Sequence, residues 1–143
     1  MKIRIFENES ELAVDIRCES VNDRVLKLRE HIELFDRKLC ARSEGETRYI
    51  PASEVLYFES VDERTFLYTD REVFEIKLRL YELEDALSPA GFLRVSKSAV
   101  VNLNRISSLR PELNRNVIAT MENGERVVIS RSYVKKLRSV LEI

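Results

Sequence analysis

Two short segments near the N-terminus alternate apolar with polar residues, and a helical spacing of apolar residues follows them. The alternation over residues 2–6 and 13–18 is typical of β-strands with one buried face. Ser20 can cap a helix, after which apolar residues recur at spacings of 4, 3, 4, 3 and 4. The recurring residues are Val21, Val25, Leu28, Ile32, Phe35 and Leu39. The pattern predicts a small ββα appendage over residues 1–42, with a helix of about five turns.

The apolar stripe of this helix has two uses. We expect it to pack against its own two strands. The alternative is a short coiled-coil seam between two chains, although the stripe covers fewer than about three heptads. The appendage would then serve dimerisation or regulation.

From the turn at Ser43-Glu44-Gly45-Glu46 onward the pattern changes to short strands. They are predicted over residues 47–50, 55–59, 65–69, 73–77, 92–95, 106–110, 117–121 and 126–130. Leu80, Leu83 and Leu87 predict a short helix, and a last helix is predicted over residues 133–141. Asn123-Gly124 predicts a type I′ hairpin turn. Residues 43–143 are therefore predicted to form a second domain, mainly β with short helices (α+β).

Composition predicts a folded protein that stays in the cytoplasm. Hydrophobic residues make up 44% and charged residues 34%, which is typical of globular proteins. No apolar stretch is long enough for a membrane helix, and the N-terminus lacks the apolar core of a signal peptide. Cys18 and Cys40 do not form a CxxC pair, so we expect two buried thiols rather than a disulfide or a metal site.

The charge of the chain is divided between its two parts. Residues 89–143 hold ten Lys or Arg and four Glu, a net of +6. Residues 1–88 hold fourteen Lys or Arg against twenty-one Asp or Glu, a net of −7. Because screening limits such fields to roughly 8 Å at physiological salt, a basic face can bind phosphate even on a protein of net charge −1. The division favours nucleic acid as a partner.

Residues for catalysis or for cofactor binding are few. His31 is the single histidine, and Gly45, Gly91 and Gly124 form no phosphate-binding motif. The carboxylates at Glu82, Glu84 and Asp85 lie on the short helix, where a solvated face explains them. We therefore expect no enzymatic activity, no cofactor, no metal and no small-molecule substrate.

Three polar and cationic clusters lie at predicted strand ends in the basic part. They comprise Arg94, Ser96, Lys97 and Ser98, then Asn114, Arg115 and Asn116, then Ser130, Arg131 and Ser132, with Lys135 and Lys136 on the helix that follows. Lys and Arg neutralise phosphates, while Ser, Asn and Arg can reach base edges. One such cluster alone is typical of a solvated loop. Three of them in the part with a net charge of +6 favour DNA.

The sequence from about Arg48 onward resembles a LytTR-type DNA-binding domain, the output module of LytR/AlgR-like response regulators. The resemblance depends on residues 54–60 (EVLYFES), the helix ending at Leu87, residues 92–102 (FLRVSKSAVVN), Asn123-Gly124 and residues 130–133 (SRSY). It implies an elongated β-fold whose loops enter the grooves of DNA at paired direct repeats. About forty residues precede it, too few for a receiver domain, so a stand-alone form is expected.

The resemblance also implies which residues contact DNA. A contact falls near Arg64 or Thr65, in the loop after Glu59-Ser60. The family's His-Arg-Ser or His-Asn-Ser becomes Ser96-Lys97-Ser98 here, with Lys97 in the contacting position. Its Ser-Arg-Arg-Tyr becomes Ser130-Arg131-Ser132-Tyr133, so Lys97 and Arg131 carry more of the role.

The resemblance also implies partners, namely double-stranded DNA as the ligand and a small membrane regulatory protein. The apolar stripe of the appendage adds a homodimer to the expected partners. The alternative function is a non-enzymatic signalling or protein-interaction module that uses the same β scaffold without DNA.

Overall fold

The computed structural model describes residues 1–142, which form two antiparallel sheets and three α-helices. The helices are α1 Asp23–Phe35, α2 Leu80–Leu87 and α3 Arg131–Leu141. The strands are β1 Lys38–Ser43, β2 Glu46–Pro51, β3 Tyr57–Val61, β4 Arg64–Tyr68, β5 Val73–Ile76, β6 Phe92–Ser96, β7 Ala99–Asn102, β8 Ile106–Pro111, β9 Val117–Met121 and β10 Arg126–Ile129. The predicted mainly β, α+β fold is confirmed.

Seven strands form the larger sheet, in the order β2-β1-β5-β4-β3-β7-β6, and β10-β9-β8 form the smaller one. Side chains alternate between the two faces of the larger sheet. Along β7, Val100 joins a buried cluster that includes α2, whereas Val101 joins the cluster that includes the smaller sheet and α3. The larger sheet is therefore covered on one face by α2 and on the other by the smaller sheet with α3.

Helical spacing places α2 and α3 as the sequence predicts. Leu80, Leu83 and Leu87 are buried on one side of α2. Val134 and Leu137 are buried on α3, while the basic residues between them are exposed. None of the described helices is both long and apolar enough to span a membrane.

The N-terminal region differs from the prediction. Residues 2–6 and 13–18 form no strand, and every residue from 1 to 20 is exposed. The helix begins later than predicted, after Asn22, whose side-chain oxygen accepts the Val25 N–H at 3.0 Å. It also ends earlier, because Leu39 lies in β1, where it is buried on one face together with Ala41.

The predicted boundary at residues 42 and 43 falls inside a hairpin. β1 pairs with β2 and with β5, so it is part of the larger sheet. β7 was also missed, because its four residues are all buried and show no alternation. The two cysteines are exposed, which makes the expectation of buried thiols wrong: Cys40 lies on the outer face of β1 and Cys18 precedes α1.

The predicted turn type at one hairpin is also wrong. At Asn123-Gly124 only Gly124 has positive φ, at 91°, and its N–H donates to Met121 O at 2.9 Å. This is a type I turn followed by a left-handed glycine rather than type I′. The type I′ geometry occurs instead between β3 and β4, where Asp62 and Glu63 have φ of 51° and 64°.

Candidate nucleic-acid interface

Four connections meet at one end of the molecule, which we call the loop end. It comprises residues 60–64, 96–98, 112–116 and 130–132. The Ser60 N–H donates to Ser98 O at 2.8 Å and joins the β3–β4 and β6–β7 hairpins. The Ser130 N–H donates to Val95 O at 2.8 Å and brings the start of α3 to the same place. The three clusters that the sequence singles out are therefore neighbours.

The β6–β7 turn presents Lys97 to solvent. The Arg94 guanidinium donates to Ser96 O at 2.8 Å and also to Lys97 O, so it holds the turn from within. The Ser98 N–H donates to Ser96 Oγ at 3.1 Å. Arg94 is half-buried and donates two hydrogen bonds to the backbone of the turn, whereas Lys97 and Ser98 are exposed. Arg94 thus positions the turn, and Lys97 is the cation available to a ligand.

The β8–β9 loop is fixed by two asparagines. Asn114 Oδ1 accepts the Asn116 N–H at 3.0 Å, which closes a local turn. Asn116 Oδ1 accepts the Arg131 N–H at 3.0 Å and so satisfies one free donor at the start of α3. Arg115 lies between them with φ of 71°, in the left-handed region that non-glycine residues adopt at a cost. The side chains of Asn114 and Arg115 are exposed.

The start of α3 is capped by a neighbouring loop rather than by its own N-cap side chain. Ser130 is the N-cap residue but its hydroxyl makes no capping hydrogen bond. Because Asn116 already accepts the Arg131 N–H, fewer backbone donors remain for an anion than the sequence suggests. Arg131 and Ser132 are exposed. Anion binding here depends chiefly on these two side chains.

Three cations of the loop end have no carboxylate partner. Within residues 1–142, Lys97, Arg115 and Arg131 take part in no salt bridge, and all three are exposed. A cation without an internal partner keeps its full attraction for phosphate. These three cations are the electrostatic centre of the candidate site.

Arg64 and Thr65, which the sequence predicts as DNA contacts, are both engaged within the protein. Thr65 is 7% exposed, because strand alternation turns it to the buried face of β4. Arg64 is engaged by Glu75 through hydrogen bonds of 3.0 Å and 2.6 Å. This pairing holds the pKa of Glu75 below its ordinary value and raises that of Arg64.

The two lysines of α3 lie differently. Lys135 is exposed, whereas the Lys136 ammonium is 3.9 Å from a carboxylate oxygen of Glu84 on α2. Glu84 also accepts the Arg94 N–H at 2.6 Å on the outer edge of β6. Lys136 therefore faces the acidic part of the chain and lies outside the candidate contact set.

Sequence reasoning missed two features of the loop end. Asp62 and Glu63 place two exposed carboxylates at the tip of the β3–β4 hairpin, close to Ser98 through the Ser60 hydrogen bond. Leu113 is fully exposed at the tip of the β8–β9 loop. The Asp-Glu pair between two predicted strands could have predicted the acidic tip. No pattern in the sequence predicts that Leu113 is exposed at a loop tip.

Ion pairs join two turns at the end of the molecule opposite the loop end. Arg105 lies 3.1 Å from Asp70 and 3.2 Å from Glu122, and so joins the β4–β5 turn to the β9–β10 turn. Tyr57 donates to Glu125 at 2.7 Å and stacks on Tyr68 with ring centroids 4.3 Å apart. Burial and the Glu125 hydrogen bond raise the pKa of Tyr57 above its ordinary value. These contacts fix the two sheets to each other.

Comparison with known proteins decides the family. Residues 45–142 match the LytTr DNA-binding domain. The chain belongs to the LytTR DNA-binding domain family. The solved LytTr DNA-binding domain of a methyl-accepting/DNA response regulator from Bacillus cereus superposes with a TM-score of 0.72 at 29% identity, covering 75% of this chain and 98% of that one. The resemblance seen in the sequence is thereby confirmed.

Relatives of similar length occur in Staphylococcus aureus. Two uncharacterized HTH-type transcriptional regulators, from strains NCTC 8325 and MRSA252, are 32% and 31% identical to this chain over 147 residues. Each match covers 100% of this chain and 99% of the relative. In residues 1–142 strands separate the three α-helices, so the described LytTR fold contains no helix-turn-helix, and it contains no receiver domain.

The LytTR match begins within the β1–β2 turn. β1 lies before the match, yet it pairs with β2 over its whole length. α1 precedes β1 and contacts the fold near the turn at Ser88–Ala90 that follows α2. No group of three metal-ligating side chains comes together in the described part of this LytTR chain.

Proposed function

We propose that this LytTR protein is a bacterial transcription regulator that recognises double-stranded DNA through the loop end. The observation that carries the proposal is the set of three exposed cations, Lys97, Arg115 and Arg131, which have no salt-bridge partner within residues 1–142 and lie on adjoining loops. The family supports DNA as the ligand. The proposal places the protein in the cytoplasm, where the bacterial chromosome lies.

The loop end offers side chains of two kinds. Lys97 and Arg131 have the length and the donors to contact base edges in a groove, with Asn114 and Arg115 beside them. The serines of the loop end and Lys135 suit phosphate contacts, which position the protein without reading sequence. The proposed phosphate-binding serines are Ser96, Ser98, Ser130 and Ser132. The half-buried Arg94 and the capping Asn116 support these contacts by fixing the two loops.

Titration of single-residue variants on DNA tests the proposal. Lys97→Ala and Arg131→Ala are each expected to weaken binding to a cognate duplex by roughly 1–3 kcal/mol and to relax specificity. Lys135→Ala is expected to weaken binding to all sequences equally and to lower the salt slope by about one unit. Arg71→Ala is the matched control, because it removes one exposed cation from the β4–β5 turn at the opposite end.

Fluorescence anisotropy on cognate and scrambled duplexes at several salt concentrations gives these values. Equal losses for Lys97→Ala, Arg131→Ala and Arg71→Ala would mean that only net charge matters and would overturn the assignment of the loop end. Wild-type protein that binds neither duplex at low salt would favour the alternative, a protein-interaction module without DNA binding.

Two adjacent half-sites form the operator in this proposal, arranged as direct repeats as the LytTR resemblance implies. A pair of half-sites requires two copies of the chain, so a homodimer is part of the proposal. The small membrane regulatory protein that the resemblance implies would bind away from the loop end, because the loop end is occupied by DNA. Duplexes carrying one half-site, two direct half-sites or two inverted half-sites distinguish these arrangements by affinity and stoichiometry.

A further inference from the structure

The N-terminal region exposes an unusual amount of apolar surface. Five large side chains before α1 are between 60% and 89% exposed: Ile3, Ile5, Phe6, Leu12 and Val14. α1 itself buries no residue, and Phe35 at its end is 59% exposed. Soluble monomers seldom expose large contiguous apolar patches, and those that do use them for binding.

The contacts of α1 within its own chain half-bury one side of the helix and leave the other side exposed. Leu34 is the one α1 residue that packs against the core of the larger sheet. Val25, Leu28 and Ile32 are half-buried in the single chain, whereas Leu26 and Phe35 are 45% and 59% exposed and belong to neither buried cluster. These two side chains, together with the apolar side chains before α1, form the surface that a partner can cover.

Charge along α1 indicates what covers this exposed apolar surface. The first half, residues 23–29, carries Arg24, Lys27 and Arg29 against Asp23, a net of +2. The second half, residues 30–36, carries Glu30, Glu33 and Asp36, a net of −3. An identical helix that runs antiparallel places each half beside the half of opposite charge, and it also opposes the two helix dipoles. A parallel partner would place like charges together.

We propose that residues 1–35 form a homodimer interface in which α1 pairs antiparallel with α1 of a second copy about a two-fold axis. The same operation gives the alternating segments 2–6 and 13–18 an apolar surface from the second copy to pack on. Because a two-fold interface presents the same patch from both chains, self-complementary charge is what such an interface requires. The interface is independent of the loop end.

Charge reversal in α1 tests the choice of partner. Arg24→Glu/Lys27→Glu makes both halves of α1 negative, and Glu30→Lys/Asp36→Lys makes both halves positive. Each double variant alone is expected to raise the dissociation constant of the dimer by roughly tenfold or more, because like charges then face each other. An equimolar mixture of the two variants is expected to restore the dimer as a heterodimer. Sedimentation velocity measures both effects, and circular dichroism confirms that α1 remains helical.

Disulfide trapping tests the antiparallel orientation. In a Cys18→Ser/Cys40→Ser background, Arg24→Cys and Asp36→Cys place one thiol near each end of α1. A mixture of the two variants is expected to cross-link readily, and each variant alone is expected to cross-link poorly. Cross-linking of each variant with itself would show a parallel pair and overturn the orientation.

The alkylation rate of Cys18 gives a third test, in a chain that carries a single substitution. In Cys40→Ser, Cys18 is the remaining thiol, and it is exposed in the single chain. We expect its rate of alkylation to fall as protein concentration rises through the dimer range. The matched Cys18→Ser variant reports on Cys40, whose rate should not change.

A wild-type protein that remains monomeric at all concentrations would overturn the inference and would leave the apolar surface to a different partner. Failure of the dimer is distinguishable from failure of DNA binding, since a monomer with an intact loop end still binds a single half-site. Because the two-fold axis orients the two loop ends of one dimer oppositely, the direct half-sites of the proposed operator are filled by one copy from each of two dimers, and the stoichiometry on a duplex with two direct half-sites tests this.

Discussion

The arginines and lysines of this protein differ in whether a carboxylate lies within salt-bridge distance. Arg64, Arg105 and Lys136 have such partners, whereas Lys97 and Arg131 have none within residues 1–142. A paired cation has to leave its carboxylate before it can bind phosphate. We therefore propose the unpaired cations of the loop end as the DNA contacts, although the sequence alone predicts Arg64 and Lys136 as contacts too.

Arg64→Ala tests this distinction. We expect a small change in DNA affinity and a rise in the pKa of Glu75 toward its ordinary value, because the Arg64 hydrogen bond that lowers it is lost. In the wild type, the contribution of Glu75 to stability is present above its ordinary pKa and is lost as pH falls through the lowered value. Titration of the Glu75 carboxyl by NMR measures the shift. A loss of DNA affinity as large as that of Lys97→Ala would return Arg64 to the contact set.

Asn116 is expected to act as a positioning residue. Asn116→Ala removes the acceptor of the Arg131 N–H, and loss of such a cap costs about 1 kcal/mol. Asn116→Asp retains an acceptor at the same place and is expected to restore the stability. Urea unfolding measures both. Equal stability of Asn116→Ala and the wild type would show that the hydrogen bond does not hold α3 in place.

At the level of elements, periodicity predicts most of the domain but fails where burial is on both faces or on neither. β7 was missed because all four of its residues are buried and alternation disappears. The segments 2–6 and 13–18 alternate, yet no element of the single chain covers them, so they form no strand. Strand formation depends on a pairing partner, which a local pattern does not specify.

The β3–β4 turn offers a test at this scale. Type I′ turns favour Asn-Gly, whereas here Asp62 and Glu63 adopt positive φ. We expect Asp62→Asn/Glu63→Gly to raise the free energy of unfolding by about 0.5–1 kcal/mol, because the left-handed strain is relieved. The change also removes two negative charges beside the loop end and should raise DNA affinity at low salt. Urea unfolding and anisotropy measure the two effects, and a loss of both stability and affinity would contradict the account.

For the whole molecule, the charge division in the sequence predicts that a basic face exists but not where its members lie. The net +6 of residues 89–143 includes Arg105, which lies at the end opposite the loop end, and Lys136, which faces α2. Long-range strand order brings residues 60, 98, 116 and 131 together through hydrogen bonds between distant segments. No local pattern specifies such contacts, so the clusters could be predicted but their assembly could not.

Amide hydrogen exchange with and without a cognate duplex tests the central claim most directly. Binding through the loop end is expected to slow exchange in residues 95–98, 112–116 and 130–132. Exchange in residues 69–72 and 122–125, at the opposite end of the same strands, is expected to remain unchanged. Protection of the opposite end without protection of the loop end would contradict the account.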